Sequence, residues 1–160
     1  MAASAEGQQT RIAYVAIGAN LGDARQSVLD AMDALDALPH SRVEARSSLY
    51  RSAPVDAGGP DFVNAVVALC TALAPLDLLA ELQAIEQRAG RRRPYRNAPR
   101  TLDLDLLAMD GLVMDTQRLT LPHPRMMQRA FVLLPLAEIA PRRVGAAELA
   151  AVAGQQIERL

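Results

Sequence analysis

The chain contains no lysine and no tryptophan, one cysteine, two phenylalanines and three tyrosines in 160 residues. Each scarcity excludes something. Without lysine there is neither a P-loop lysine nor a Schiff-base nucleophile, and the glycine spacings of Walker A and dinucleotide-binding motifs are missing too. A lone cysteine, Cys70, cannot form an internal disulfide or a cysteine-rich zinc site; it ends an apolar run and reads as a buried structural thiol. The net charge of −1 supplies no global basic field, so nucleic acid is not an expected partner. Residues 1–10 are small and polar, with no signal-peptide or membrane-spanning character, and read as a disordered tail on a cytoplasmic protein. With 51% apolar residues, positions 11–160 are expected to form a single domain with its own core, acting as a monomer and away from membranes.

All 17 basic residues are arginines, and six of them (Arg88, Arg91, Arg92, Arg93, Arg96 and Arg100) crowd into residues 88–100. Directly after this run comes Thr101-Leu-Asp-Leu-Asp-Leu-Leu107. Leucine alternates with a polar residue, the period of a strand with one buried face, which puts Leu102, Leu104 and Leu106 in the core. Asp103 and Asp105 then share the other face with Cα atoms about 6.7 Å apart, where two like charges repel by roughly 2–3 kcal/mol at an effective dielectric near 20. Such a pair belongs either on a solvated outer face or around a hard cation that takes an oxygen from each. Mg²⁺ fits the second case, since it combines one or two carboxylates with substrate phosphates. Guanidinium groups beside a metal-binding acid pair are the components of polyphosphate chemistry, so the two features together favour phosphoryl-type transfer.

The remaining pattern gives an element order. Ile12–Ile17 reads as a first strand stopped by Gly18. Asp23 caps a helix with Ala24, Val28, Ala31, Leu35 and Leu38 on its inner stripe, and Pro39 ends it. Residues 43–51 read as a second strand, 52–60 as a loop rich in proline and glycine, and 62–70 as a central strand apolar on both faces. Pro75 opens a second helix with Leu78, Leu82, Ile85 and Ala89 inward and Gly90 at its stop. After the Asp-Asp strand, Asp110-Gly111 signals a hairpin. The resulting β-α-β-β-α-β order is α+β and ferredoxin-like: an antiparallel sheet with helices on one face, extended by a C-terminal hairpin and short helices.

Some polar residues stand where apolar ones are expected. Asn64 interrupts the central strand on the same face as Phe62. A buried amide needs partners, so it is either tied to a neighbouring loop or presented to a ligand with donor and acceptor edges, over which Phe62 and Phe131 would stack. His123 lies between prolines, with Arg125 and Arg129 following as a second cationic group. Gln83 and Glu86 sit one helical turn apart and by default face water.

These residues fall into a recognisable series of motifs: Ala13-Tyr-Val-Ala-Ile-Gly-Ala-Asn20, Ser47-Ser-Leu-Tyr-Arg-Ser52, Pro60-Asp-Phe-Val-Asn64, Arg100-Thr-Leu-Asp-Leu-Asp105, Leu121-Pro-His123 and Arg129-Ala-Phe131. Across residues 12–141 the chain resembles the 6-hydroxymethyl-7,8-dihydropterin pyrophosphokinases of folate biosynthesis, which move a pyrophosphoryl group from ATP to a pterin hydroxymethyl and release AMP. The resemblance implies that Asp103 and Asp105 bind two Mg²⁺ ions with ATP and that Arg91 and Arg100 contact phosphates and the transition state. It implies a nucleotide site at Gln83, Glu86, Arg93, His123 and Arg129, and a pterin pocket at Ser52, Val55, Phe62, Asn64 and Phe131. The loops at 53–60 and 91–99 would close over the substrates. The chain departs from many relatives in having Asn97 where they carry tryptophan and Pro124 where they carry tyrosine, and its arginine loop is one residue shorter than in some. A different Mg²⁺-dependent phosphoryl or nucleotidyl transferase would use the same acids on another acceptor. A nucleotide-binding regulatory module would have no use for acids in its site.

Overall fold

The computed structural model describes residues 9–54, 59–90 and 102–160. The expectations for residues 1–8, for 55–58 of the 53–60 loop, for the arginine loop and for the site residues Val55, Arg91, Arg93 and Arg100 therefore fall outside the described residues. A six-stranded antiparallel sheet is built from β1 (Arg11–Ala19), β2 (Ser41–Arg46), β3 (Tyr50–Ser52), β4 (Phe62–Thr71), β5 (Asp103–Met109) and β8 (Ile157–Arg159). Its order is β5-β1-β4-β3-β8, with β2 also paired to β4. Helices α1 (Ala24–Asp36) and α2 (Pro75–Gly90) cover one face, so the βαββαβ expectation holds.

Two-residue alternation sorts the core. Val15 and Ile17 of β1, Val67 and Leu69 of β4, and Leu104 and Leu106 of β5 turn to the helices and meet Val28, Leu35, Leu78 and Leu82. Asp23 caps α1 by accepting a hydrogen bond from the Gln26 N–H at 3.1 Å, satisfying one of the donors a helix start leaves open.

Four features differ from the sequence reading. The strand expected over 43–51 is broken into β2 and β3. Between them the Ser47 hydroxyl accepts from Val66 N–H at 2.9 Å while Ser47 N–H donates to Val66 O at 2.9 Å, so the chain kinks without losing its partners. The first strand does not stop at Gly18 but pairs through Ala19, because Gly18 has a strand on either side. Asp110-Gly111 does turn the chain, with Gly111 at φ 77° and Leu112 N–H donating to Met109 O, but β6 (Met114–Asp115) pairs with β7 (Thr120–Leu121) rather than back onto β5.

The fourth difference matters most for the site. The second face of the sheet is also covered. Helix α3 (Ala130–Ile139) packs Val132, Leu133 and Leu136 against Tyr14, Ala16, Val66 and Ala68. That explains why β4 is apolar on both faces. Helix α4 (Ala146–Ala151) and β8 follow, the latter adding a strand beside β3 that alternation over three residues cannot reveal. Cys70 is buried, as expected. Among the described residues no helix is long and apolar enough to cross a membrane.

Candidate active site

α3 leaves one end of the second sheet face open, where a cavity of about 940 Å³ forms. Its floor follows from register. Gly18 is opposite Asp103 on one side and Asn64 on the other, and Ala16 is opposite Asp105. Adjacent strands thus carry an acid, a glycine and an amide in one row. The acids are exposed while Leu102, Leu104 and Leu106 between them are buried, as the alternation requires. A side chain on Gly18 would fill this floor: a Cβ there would lie 3.4 Å from Asn64 Oδ1 and 3.9 Å from Phe62 Cδ1.

Asn64 is almost fully buried and donates from Nδ2 to Ser52 Oγ at 2.7 Å. One half of its amide is therefore tied to the neighbouring strand, and its Oδ1 faces the gap above Gly18. Of the two alternatives for Asn64, the tied amide is the one the Ser52 bond shows. Phe62 and Phe131 both line the same cavity. The Arg129 guanidinium lies over the Phe131 ring, 5.4 Å from its centroid, and Arg125 lines the rim with it.

The residues expected at a nucleotide site divide. Arg129 borders the cavity. Glu86 reaches from α2 to accept the Leu104 N–H at 2.8 Å, holding the edge strand between the two acids rather than facing water. His123 is anchored by its N–H to Leu107 O at 2.7 Å, and its Nδ1 accepts from Arg125 N–H at 3.1 Å. Burial pushes its imidazole below the ordinary 6.5; Asp105 nearby opposes the shift, and Arg129 and Arg125 add to it. Gln83 is exposed on α2 and does not border the cavity.

Four contributors were missed by reading the sequence. Gly18 looked like a strand stop. Glu138 of α3 accepts from Ser48 N–H, Ser48 Oγ (2.9 Å) and Tyr50 OH (2.8 Å), clamping the β2–β3 kink to the helix above it. Burial alone would raise the Glu138 carboxyl, but these hydrogen bonds and Arg159 together hold it below the ordinary 4.5, while burial and the bond to Glu138 push Tyr50 up to about 12. Gln155 and Gln156 line the cavity from the C-terminal segment, where nothing in local pattern sets them apart.

Among the described residues no group of three or more His, Cys, Asp or Glu is placed to hold a metal by itself. Two carboxylates on one open strand face do suit Mg²⁺, which keeps much of its shell for water and substrate oxygens.

An acid pair, a cationic rim and an aromatic-lined recess on one end of an antiparallel sheet define a small α+β group-transfer enzyme. The profile of the 7,8-dihydro-6-hydroxymethylpterin-pyrophosphokinase family matches residues 14–141, and the chain belongs to that family. It is 53% identical over 129 residues to a 2-amino-4-hydroxy-6-hydroxymethyldihydropteridine pyrophosphokinase of Pseudomonas aeruginosa, covering 80% of each chain. It is 43% identical over 129 residues to the protein of the same description from Haemophilus influenzae, covering 80% of this chain and 81% of that one. Crystal structures of Plasmodium falciparum HPPK-DHPS share the fold: one, a triple mutant, superimposes with a TM-score of 0.67 at 14% identity over 84% of this chain and 40% of that longer one.

Proposed function

We propose that this protein transfers the pyrophosphoryl group of ATP to the hydroxymethyl group of 6-hydroxymethyl-7,8-dihydropterin, releasing AMP, as a monomer in the cytoplasm. The family membership supports the reaction. The observation that carries the site assignment is the single row Asp103–Gly18–Asn64 across three strands, flanked by Phe62 and Phe131 around one cavity.

In this reading Asn64 reads the edge of the pterin ring through Oδ1 while Ser52 fixes the amide's orientation. Phe62 and Phe131 pack against the ring's faces, as aromatic side chains do with flat heterocycles. The hydroxymethyl group is thereby directed along the floor towards Asp103 and Asp105. Its oxygen attacks the β-phosphorus in line; a new O–P bond forms, the bond from that phosphorus to the oxygen bridging to the α-phosphate breaks, and AMP leaves with the bridging oxygen. Asp105 is the acceptor for the hydroxyl proton. Asp103 and Asp105 would hold Mg²⁺, which when bound offsets phosphate charge and makes the hydroxyl more acidic. Arg129, and by family resemblance Arg91, Arg93 and Arg100, neutralise the polyphosphate. Glu86 keeps the acid-bearing strand in register from behind. His123, neutral with Nδ1 accepting from Arg125 N–H, donates a hydrogen bond from its other ring nitrogen, Nε2, at the nucleotide without adding charge.

Product analysis tests this reading. Incubation with ATP, Mg²⁺ and 6-hydroxymethyl-7,8-dihydropterin, followed by ³¹P NMR, is expected to yield AMP and a pyrophosphorylated pterin in equal amounts. ADP, or free pyrophosphate with a nucleotidylated product, would assign a different transferase; nucleotide binding without turnover would assign a regulatory module.

A further inference from the structure

The family match ends at residue 141, yet the cavity wall does not. The segment after α4 turns back so that β8 pairs with β3, Ile157 opposite Ser52, and the Leu160 N–H donates to Leu49 O at 2.9 Å. Arg51 and Glu158, opposite one another in this pairing, form an ion pair. The chain just before β8 is thereby fixed against the rim of the site.

Gln155 uses both ends of its amide there. Its Oε1 accepts the Ala130 N–H at 2.8 Å and its Nε2 donates to Gln128 O at 2.9 Å. Arg129 lies between these two anchored peptides. The first N–H groups of a helix have no partner within it, and the residue before α3 supplies no side-chain cap. Gln155 satisfies the first of them from outside the helix. The Arg129 side chain leaves this clamped point to lie over Phe131 at the cavity wall.

We propose that Gln155 is a positioning residue for Arg129: its two hydrogen bonds fix the backbone on either side of that arginine and so aim the guanidinium at the polyphosphate. The inference rests on the nucleotide role given to Arg129 above. A primary amide is required because one neighbour is a donor and the other an acceptor. Glutamate keeps the bond to Ala130 and sets its second oxygen against Gln128 O, leaving that carbonyl without its donor.

The test compares Gln155→Ala, Gln155→Glu, Arg129→Ala and the Gln155→Ala/Arg129→Ala double variant in the full chain. In Gln155→Ala the Ala130 amide exchanges with solvent faster, and the KM for ATP rises about three- to tenfold, the range that one or two modest hydrogen bonds produce. kcat shifts less and the melting temperature stays within about 2 °C, because Gln155 is exposed. Gln155→Glu keeps the Ala130 amide protected and gives an intermediate KM. The double variant is no worse than Arg129→Ala alone, since Gln155 acts through that residue. A KM within twofold of the parent, or effects that multiply in the double variant, would overturn the proposal. If the parent protein shows no pterin-dependent turnover, the functional reading fails instead; Ala130 exchange and calorimetric ATP binding still decide the role of Gln155.

Discussion

Replacing Gly18 by alanine separates folding from function more cleanly than any other single change at this site. Gly18 sits in β1 with Asp103 and Asn64 as its lateral partners, and its backbone is not in the left-handed region, so alanine is conformationally acceptable. The added Cβ lies 3.4 Å from Asn64 Oδ1 and 3.9 Å from Phe62 Cδ1, ordinary contacts that displace nothing. Alanine is also favoured over glycine inside a strand by about 0.5–1 kcal/mol. For a domain of this size that is a gain of roughly 1–4 °C in melting temperature, or no change if the contact to Asn64 absorbs it. The methyl, however, rises about 1.5 Å from the floor of the recess. A displacement of a reacting group by about 1 Å can cost on the order of a hundredfold in rate. The expected result is an equal or higher melting temperature with kcat/KM for the dihydropterin reduced by about ten- to a hundredfold. Parent-like kcat/KM in a folded Gly18→Ala protein would refute the placement of the ring above this row.

Other consequences can be measured independently. Asn64→Ala removes the buried bond to Ser52 and is expected to cost about 1–3 kcal/mol in urea unfolding, with a larger proportional loss in pterin affinity by calorimetry. Glu138→Ala leaves Ser48 N–H, Ser48 OH and Tyr50 OH without their acceptor and should destabilise by about 2–4 kcal/mol, seen as a lower urea midpoint. Tyr50 titrates near 12 when folded against an ordinary 10.0, so its contribution is fully present below pH 10 and lost as pH rises from 10 towards 12. That loss is on the order of 2 kcal/mol, unobscured by lysine because the chain has none; Tyr50→Phe should flatten the alkaline limb of the stability profile.

How much of this was legible beforehand follows from what each feature depends on. The acid pair was readable because two-residue alternation in 102–106 fixes which side chains share a face, and the structure buries the leucines and exposes the aspartates. Asn64 stood out because an amide in an apolar run demands partners, and its bond to Ser52 is one of them. Gly18 was misjudged because glycine signals a break in isolation, whereas here its value is the empty space between two strands distant in sequence. The kink at Ser47 and the clamp at Glu138 depend on pairings across 19 and 90 residues, which local periodicity does not carry. The three-residue β8 is too short to show a period, so the C-terminal wall and Gln155 emerged only from the fold. Gln83 and Glu86 look alike on one helix face, yet only Glu86 reaches the edge strand.

The most direct measurement of the central idea is ATP affinity as a function of Mg²⁺, by calorimetry, for the parent chain and for Asp103→Asn/Asp105→Asn. The parent is expected to bind ATP much more tightly when Mg²⁺ is added, and the folded variant to bind weakly at every Mg²⁺ concentration. An equal Mg²⁺-dependent gain in both proteins would contradict the account.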